Sequence, residues 1–473
     1  MANLIIWNTF NPIKGLEKTN PVPDVASRTS GPHQLASWLT EFGYSVKVVD
    51  FCHIMYSSDL VSITEKHISD DTIAIGCSTT FWDDGASSNF QEPEWVIESR
   101  SILEERYPKI DWLLGGVDAY LKSESKFDWK RFVGYDEDQI IRYLDEKLGK
   151  DKIRNPFNMK DVSCHYTDGL GITPTEVLPI QLSRGCQFKC TFCRAPLLGK
   201  KKNTYVRDYG VVEKELLNMY DRYGTTRYYF IDDTVNETED KIVALAEIAQ
   251  KLPFKLEWVG YLRLDLIAKK PNTIELLKLS GLRSAFFGIE SFNSATAKSI
   301  NKPWYGWGAK DFLIELKDQW KDDINWTLSF IVGLPHETIE TLDETQQWLI
   351  ENKMYSWLWN PLYINKTSNI PDKSLFEQNY SKYGYIFPNP NNNSYWINDY
   401  WDSETAKSKS IQLTVDKFEH EKVATWRLAE YSNSLECSFD ELMPKFTKEI
   451  ERKIVRTKML KQVKNYVNYQ LSI

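Results

Sequence analysis

Residues Val177–Cys193 read VLPIQLSRGCQFKCTFC, and this stretch governs how the rest of the chain is read. An apolar run ends at Leu182, a polar turn follows, and Cys186, Cys190 and Cys193 arrive within eight residues. The run predicts a strand over Val177–Leu182, so the three thiols share one loop at a strand's C-terminal end, where β/α barrels build their chemistry. Thiolates are the ligands of iron-sulfur clusters, and three of them on a four-iron cluster leave one iron open to a small molecule. A structural zinc site is the competing reading. It would want a fourth Cys or His at suitable spacing, and the nearest upstream candidate is His165.

Outward from this loop, strands predicted at Arg227–Ile231, Leu256–Tyr261, Ser284–Ile289 and Thr327–Val332 alternate with helices such as Val211–Tyr223 and Lys241–Gln250. That rhythm suggests a partial or complete β/α barrel over residues 176–355. Upstream, a turn-rich segment, Asn155–Thr175, marks a domain boundary. Residues 1–154 form a second alternating series, with strands at Leu4–Trp7, Ser45–Phe51, Thr72–Ser78 and Ile110–Leu114 and helices at Pro32–Phe42 and Pro93–Arg106. This predicts a Rossmann-like domain with a parallel sheet. Downstream, from Trp357 to Trp401, the pattern breaks into Asn, Pro, Ser, Tyr and Trp, which predicts loops. Residues 405–473 read as mostly helical, so 356–473 forms a C-terminal region of aromatic-rich loops and helices.

With 473 residues, 42% hydrophobic and 26% charged, the chain has the bulk of an ordinary globular protein of two or three domains. No apolar stretch approaches membrane-spanning length and no basic segment precedes the short apolar run at the start, so a cytoplasmic protein without membrane association is expected. Seven cysteines in a chain this long do not make the framework of a small secreted domain. The formal net charge of -8 argues against a surface built wholly for nucleic acid.

The CxxxCxxC spacing after Arg184-Gly185, with Phe192 before the last cysteine, resembles the radical S-adenosylmethionine (SAM) superfamily. The resemblance extends in order through YYFIDD (228–233), GYLRLD (260–265), GIES (288–291) and FIVGLPHE (330–337). It implies a [4Fe-4S] cluster on Cys186, Cys190 and Cys193 whose open iron chelates SAM and whose electron cleaves it to a 5'-deoxyadenosyl radical. It also implies an external electron donor such as flavodoxin or ferredoxin.

Carried over by motif, Asp232, Asp233 and Thr234 would accept bonds from the SAM ammonium. Arg263 would pair with its carboxylate. Glu290 and Ser291 would contact the ribose or methionine end, and Gly333 would let adenine approach the backbone. Each has a plainer reading. Asp232 and Asp233 also suit helix capping, Arg263 suits a salt bridge to Asp265 or Glu257, and Gly333 suits a turn. Glu290, on the apolar strand AFFGIE, needs a partner if buried.

Residues 1–154 resemble the cobalamin-binding domain that precedes the barrel in one branch of the superfamily, through GPHQLASWLTEFGYSVKVVDF, AIGCSTTF and WLLGGVDAY. On that resemblance Ser78, Thr79, Gly115 and Gly116 would line a corrin crevice, although Gly, Ser and Thr are also ordinary turn residues. No DxHxxG signature follows the first strand, so a bound cobalamin would lack histidine ligation. FVGYDEDQIIRYL (132–144) stands where a GEGE-like turn is usual. His33, His53 and His67 read as structural, Cys52 and Cys77 as small buried hydrophobes, and Cys164 and Cys437 as unpaired.

Trp357, Trp359, Tyr363, Tyr395, Trp396, Tyr400 and Trp401 suggest either a substrate lid or a cover over the barrel, with cover favoured. From Lys445 to Lys464, eight Lys or Arg stand against Glu449 and Glu451, which could meet RNA phosphates. The interleaved Ile450, Ile454, Val455, Leu460 and Val463 favour docking on the body instead.

The resulting expectation is a cobalamin-dependent radical SAM methyltransferase acting on an unactivated carbon or phosphorus centre of an unidentified small molecule or peptide. The alternatives are radical rearrangement, cyclisation or oxidation, and a non-catalytic iron-sulfur protein for electron transfer or redox sensing.

Overall fold

A computed structural model describes residues 2–9, 27–79, 92–116, 119, 127–135, 137–150, 154–194, 205–302, 307–366, 373–417 and 419–473. The first five strands are β1 (Leu4–Trp7), β2 (Val46–Val49), β3 (Ala74–Ser78), β4 (Asp111–Gly116) and β5 (Lys130–Val133), all parallel in the order β2-β1-β3-β4-β5. Alternation along the strands sends one set of side chains to each face. Leu4, Ile6, Val48 and Leu113 meet Trp38 and Leu39 of the helix Ser30–Glu41 and Ile141 and Leu144 of the helix Glu137–Lys147. Ile5, Trp7, Ile75 and Leu114 meet Leu60 and Ile63 of the helix Ser57–His67 and Val96 and Leu103 of the helix Glu94–Arg106. Both faces are covered, as a parallel sheet requires. The strand order reverses between β1 and β3, which opens a crevice at their C-terminal ends.

The second sheet runs in chain order: β6 (Leu178–Ile180), β7 (Arg227–Phe230), β8 (Glu257–Leu262), β9 (Leu282–Glu290), β10 (Asn325–Val332) and β11 (Ser356–Pro361), again all parallel. It is a partial barrel of six strands among the described residues. β11 lies where the sequence predicts loops. Trp357 and Trp359 are two residues apart on one face of that strand, buried, and both indole N–H groups donate to Gln346 Oε1, at 2.8 and 2.9 Å.

Trp396 and Trp401 are also buried rather than poised as a lid, and Trp401 Nε1 donates to the Glu337 carbonyl at 2.7 Å. The helix Thr425–Leu435 closes the N-terminal end of the barrel, where Thr425 N donates to Thr327 Oγ1 at 2.9 Å. The helix Arg452–Ser472, which carries the basic run, buries Val455, Met459, Val463 and Tyr466, while Ile454 stays exposed. It ties the two sheets together: Asp50 N donates to Tyr466 Oη at 3.0 Å, and Gln462 Nε2 donates to the Asn433 carbonyl at 2.6 Å. Among the described residues no helix is long and apolar enough to cross a membrane.

Candidate functional site

The cysteine loop leaves β6 at Gln181. Gly185 adopts φ +80, a left-handed conformation that a side chain disfavours, and this turns the chain into Cys186. All three cysteines are free and partly exposed at the C-terminal mouth of the barrel. Among the described residues no three His, Cys, Asp or Glu gather as the shell of a single metal ion. A four-iron cube, on which each thiolate takes its own iron, does not ask for such a shell.

The loop is pinned from below and from the side. Asp232 is completely buried, and its carboxylate accepts from Leu182 N and Ser183 Oγ, each at 2.7 Å. Lys241 Nζ lies 3.6 Å from Asp232 and donates to Ser183 Oγ at 2.6 Å and Glu237 Oε1 at 2.5 Å. Asp232 thus differs from its expected role as a SAM contact. Three groups of its own chain already occupy the carboxylate.

On the other flank, Arg194 forks onto the buried Glu377, with Nε to Oε2 at 2.9 Å, and Phe376 N donates to the Thr191 carbonyl at 2.9 Å. Burial pushes the Glu377 carboxyl up, but Arg194 holds it below the usual range. Neither Lys241 nor Glu377 stood out in the sequence. The Glu237–Lys241 spacing of i, i+4 is a local signal for the first, whereas the second comes from far along the chain.

Asp233 faces the opposite way from Asp232 and lines the cavity described below. Thr234 Oγ1 sits 3.4 Å from Cys186 Sγ. Arg263 makes the salt bridge to Asp265, at 2.9 Å, while Glu257 is taken by Arg283 at 2.5 Å. The Arg263 guanidinium also donates to Cys190 Sγ at 3.6 Å and lies 4.0 Å over the Phe188 ring. Burial lowers its pKa, but Asp265 and Cys190 outweigh that and raise it.

Glu290 ends β9 in a left-handed conformation, φ +69, with Lys302 Nζ at 3.3 Å. Burial raises its pKa and Lys302 draws it back. Ser291 Oγ accepts from Asn293 N at 2.9 Å. Gly333 has φ +102, and a Cβ there would meet the Trp396 ring at 2.6 Å. The close approach that this glycine permits is that of Trp396, from the C-terminal region, and not of an adenine.

A cavity of about 600 Å³ joins the C-terminal edge of the first sheet to the barrel lumen. Ser78, Gly115 and Gly116 line it. Thr79 does not: it is fully buried, and both its N (2.8 Å) and its Oγ1 (3.1 Å) donate to the Gly115 carbonyl, so it fastens β3 to β4. Leu4, Ile6, Leu113 and Phe132 give the cavity an apolar floor. From the barrel, Tyr229, Ile231, Asp233 and Tyr261 reach it, and Trp426 joins them from the helix Thr425–Leu435.

The model of the radical SAM superfamily matches residues 180–349, the span from β6 into the helix after β10. These residues are a radical SAM domain. The chain is similar to the anaerobic magnesium-protoporphyrin IX monomethyl ester cyclase of Cereibacter sphaeroides, 26% identical over 44% of this chain and 34% of that protein. It is also similar to the bacteriochlorophyllide d C-12(1)-methyltransferase of Chlorobaculum tepidum, 25% identical over 38% of this chain and 39% of that protein. The chain therefore spans between a third and two fifths of these relatives.

Among solved structures, the radical SAM methyltransferase TsrM from Kitasatospora setae, with cobalamin and a [4Fe-4S] cluster bound, matches 98% of this chain and all of its own. Its TM-score is 0.62 at 13% identity. OxsB, with aqua-cobalamin and SAM bound, matches 97% of this chain and 72% of its own, with a TM-score of 0.60 at 13% identity. These likenesses are of fold: the radical SAM domain and the sheet before it share the architecture of the two cobalamin-dependent enzymes.

Proposed function

We propose that this chain is a cobalamin-dependent radical SAM enzyme, and specifically a methyltransferase acting on an unactivated carbon or phosphorus centre. The observation that carries the proposal is the continuous cavity from the glycine-lined edge of the first sheet to Asp233, beside the three-cysteine loop. A corrin in the crevice and a SAM on the cluster would then face one another across the same space.

The residues fit both groups. Gly115 lines the crevice with only the Phe132 carbonyl, at 4.0 Å, near the position of a Cβ, so a planar ring can press against the backbone there. The crevice carries no histidine among its described lining residues. Cys186, Cys190 and Cys193 would hold the cluster, with the Arg263 guanidinium donating to Cys190 Sγ and so helping to fix its position. Asp233, Thr234, Glu290 and Ser291 would take the polar groups of SAM. When bound, the cluster supplies the electron that cleaves SAM and the corrin carries the methyl group. Tyr229, Tyr261 and Trp426 would exclude water from the space between them. The electron would come from an external donor such as flavodoxin or ferredoxin.

The test is product analysis after anaerobic incubation of the reconstituted, corrin-loaded chain with SAM and a reductant. Release of both S-adenosylhomocysteine and 5'-deoxyadenosine is expected. 5'-Deoxyadenosine alone would remove methyl transfer and leave a radical rearrangement, cyclisation or oxidation. Neither product would remove the radical SAM activity.

A further inference from the structure

Where the first domain meets the cysteine loop, Arg184 is nearly enclosed and engages three acceptors. Its Nη1 donates to Glu137, its Nη2 to Gln34 Oε1 at 3.0 Å, and its Nε to Gln181 Oε1 at 3.4 Å. The guanidinium stacks over Tyr135, 4.7 Å from the ring centroid, with Phe157 at 5.3 Å. Because Arg184 can only donate, it fixes the orientation of the Gln34 amide: the oxygen faces Arg184 and the NH2 group faces away.

That NH2 group is buried, on a side chain 2% exposed, and has no hydrogen-bond partner among the described residues. Gln34, Tyr135, Glu137, Gln181 and Arg184 all line the interdomain cavity. A buried donor left unmet is costly, so a ligand that brings an acceptor to this point gains what the empty arrangement forgoes. The acceptor is defined by the charge around it. Arg184 is already neutralised by Glu137, and Glu137 repels a phosphate or carboxylate, so the wall offers a neutral donor to a neutral carbonyl.

We propose that Gln34 is a specificity-determining donor for the corrin ring. It takes a peripheral acetamide or propionamide carbonyl through its NH2 group, and Arg184, two residues before Cys186, aims it. This rests on the reading of the cavity as a cobalamin site.

The test is equilibrium titration of the full apo chain, followed by tryptophan fluorescence, with hydroxocobalamin and with dicyanocobinamide, which keeps the ring amides and lacks the nucleotide tail. Gln34→Glu keeps an oxygen for Arg184 and loses the donor, while Gln34→Met loses both without adding charge. Both variants should bind both corrins about tenfold more weakly, the loss of one hydrogen bond. The melting temperature of Gln34→Glu should not fall. Wild-type affinity in Gln34→Glu would mean that Gln34 serves Arg184 alone. Wild-type affinity in Gln34→Met would assign the Gln34→Glu loss to its charge, and a loss confined to hydroxocobalamin would assign the contact to the nucleotide tail. Each of these overturns the proposal. A wild-type chain that binds neither corrin overturns the cofactor reading itself, and this inference with it.

Discussion

The carboxylates of Asp232 and Asp233 leave the same strand end in opposite directions, and substitution should separate their roles. Asp232→Asn replaces an acceptor by an amide that cannot accept from Leu182 N and Ser183 Oγ together, while Glu237 still balances the charge of Lys241. A loss of about 1–3 kcal/mol in urea denaturation is expected from the unmet donors, together with a lower iron content after reconstitution. Asp233→Asn should change stability by less than about 1 kcal/mol and weaken SAM binding in equilibrium dialysis. Gly333→Ala meets both a left-handed backbone and the Trp396 ring, and should cost about 2–4 kcal/mol. At this scale the sequence exposed the thiols and the motif positions, because spacing alone identifies them. It did not distinguish Asp232 from Asp233, since adjacent residues share a motif while the pleat sends them to different environments.

Among the elements, β11 shows how composition can hide a strand. SWLWNP alternates in the manner of a strand, yet the Asn, Pro and Ser that follow outweighed the four-residue signal. β5 was equally hidden, because only Phe132 of KRFV is buried and an edge strand carries little apolar periodicity. The longer strands β8, β9 and β10 and the helices between them were legible because their apolar pattern runs for several turns or pleats. Gln346 accepts from both Trp357 and Trp359, so Gln346→Leu leaves two buried indole N–H groups without their acceptor. Thermal denaturation should show a loss of about 2–4 kcal/mol, with cluster content per folded chain unchanged. A loss below about 0.5 kcal/mol would mean that the two indoles do not depend on that amide.

Across the whole molecule, the first sheet, the segment between the sheets and the C-terminal helix meet at one buried ionic cluster. Arg28 pairs with Asp50 and, at 2.7 Å, with Glu176, while Asp50 Oδ1 meets His33 Nε2 at 2.9 Å and Asn8 Nδ2 at 2.7 Å. No local sequence pattern announces such a cluster, because Asn8, Arg28, His33 and Asp50 share no motif spacing and Glu176 comes from beyond the first sheet. Although burial opposes it, the charges of His33 and Arg28 hold the Asp50 carboxyl far below its usual range.

Nearby, burial pushes the His53 pKa down from 6.5 to about 3. The unfolded chain therefore binds a proton that the folded one refuses between those values. The His53 contribution is fully present above about pH 6.5 and is lost as the pH falls toward 3. Unfolding free energies from urea denaturation should decline from pH 7 to 4.5 by up to about 1.4 kcal/mol per pH unit for this one proton. His53→Gln should flatten that decline, and an unchanged slope would remove His53 as its source.

The claim that binds these scales is that Cys186, Cys190 and Cys193 hold a four-iron cluster with one iron open to SAM. Electron paramagnetic resonance of the anaerobically reconstituted, dithionite-reduced chain tests it most directly. The account predicts a [4Fe-4S]+ signal whose g-values shift on addition of SAM and which is absent from Cys190→Ala. A chain that gives no such signal, or one whose signal SAM leaves unchanged, would contradict it.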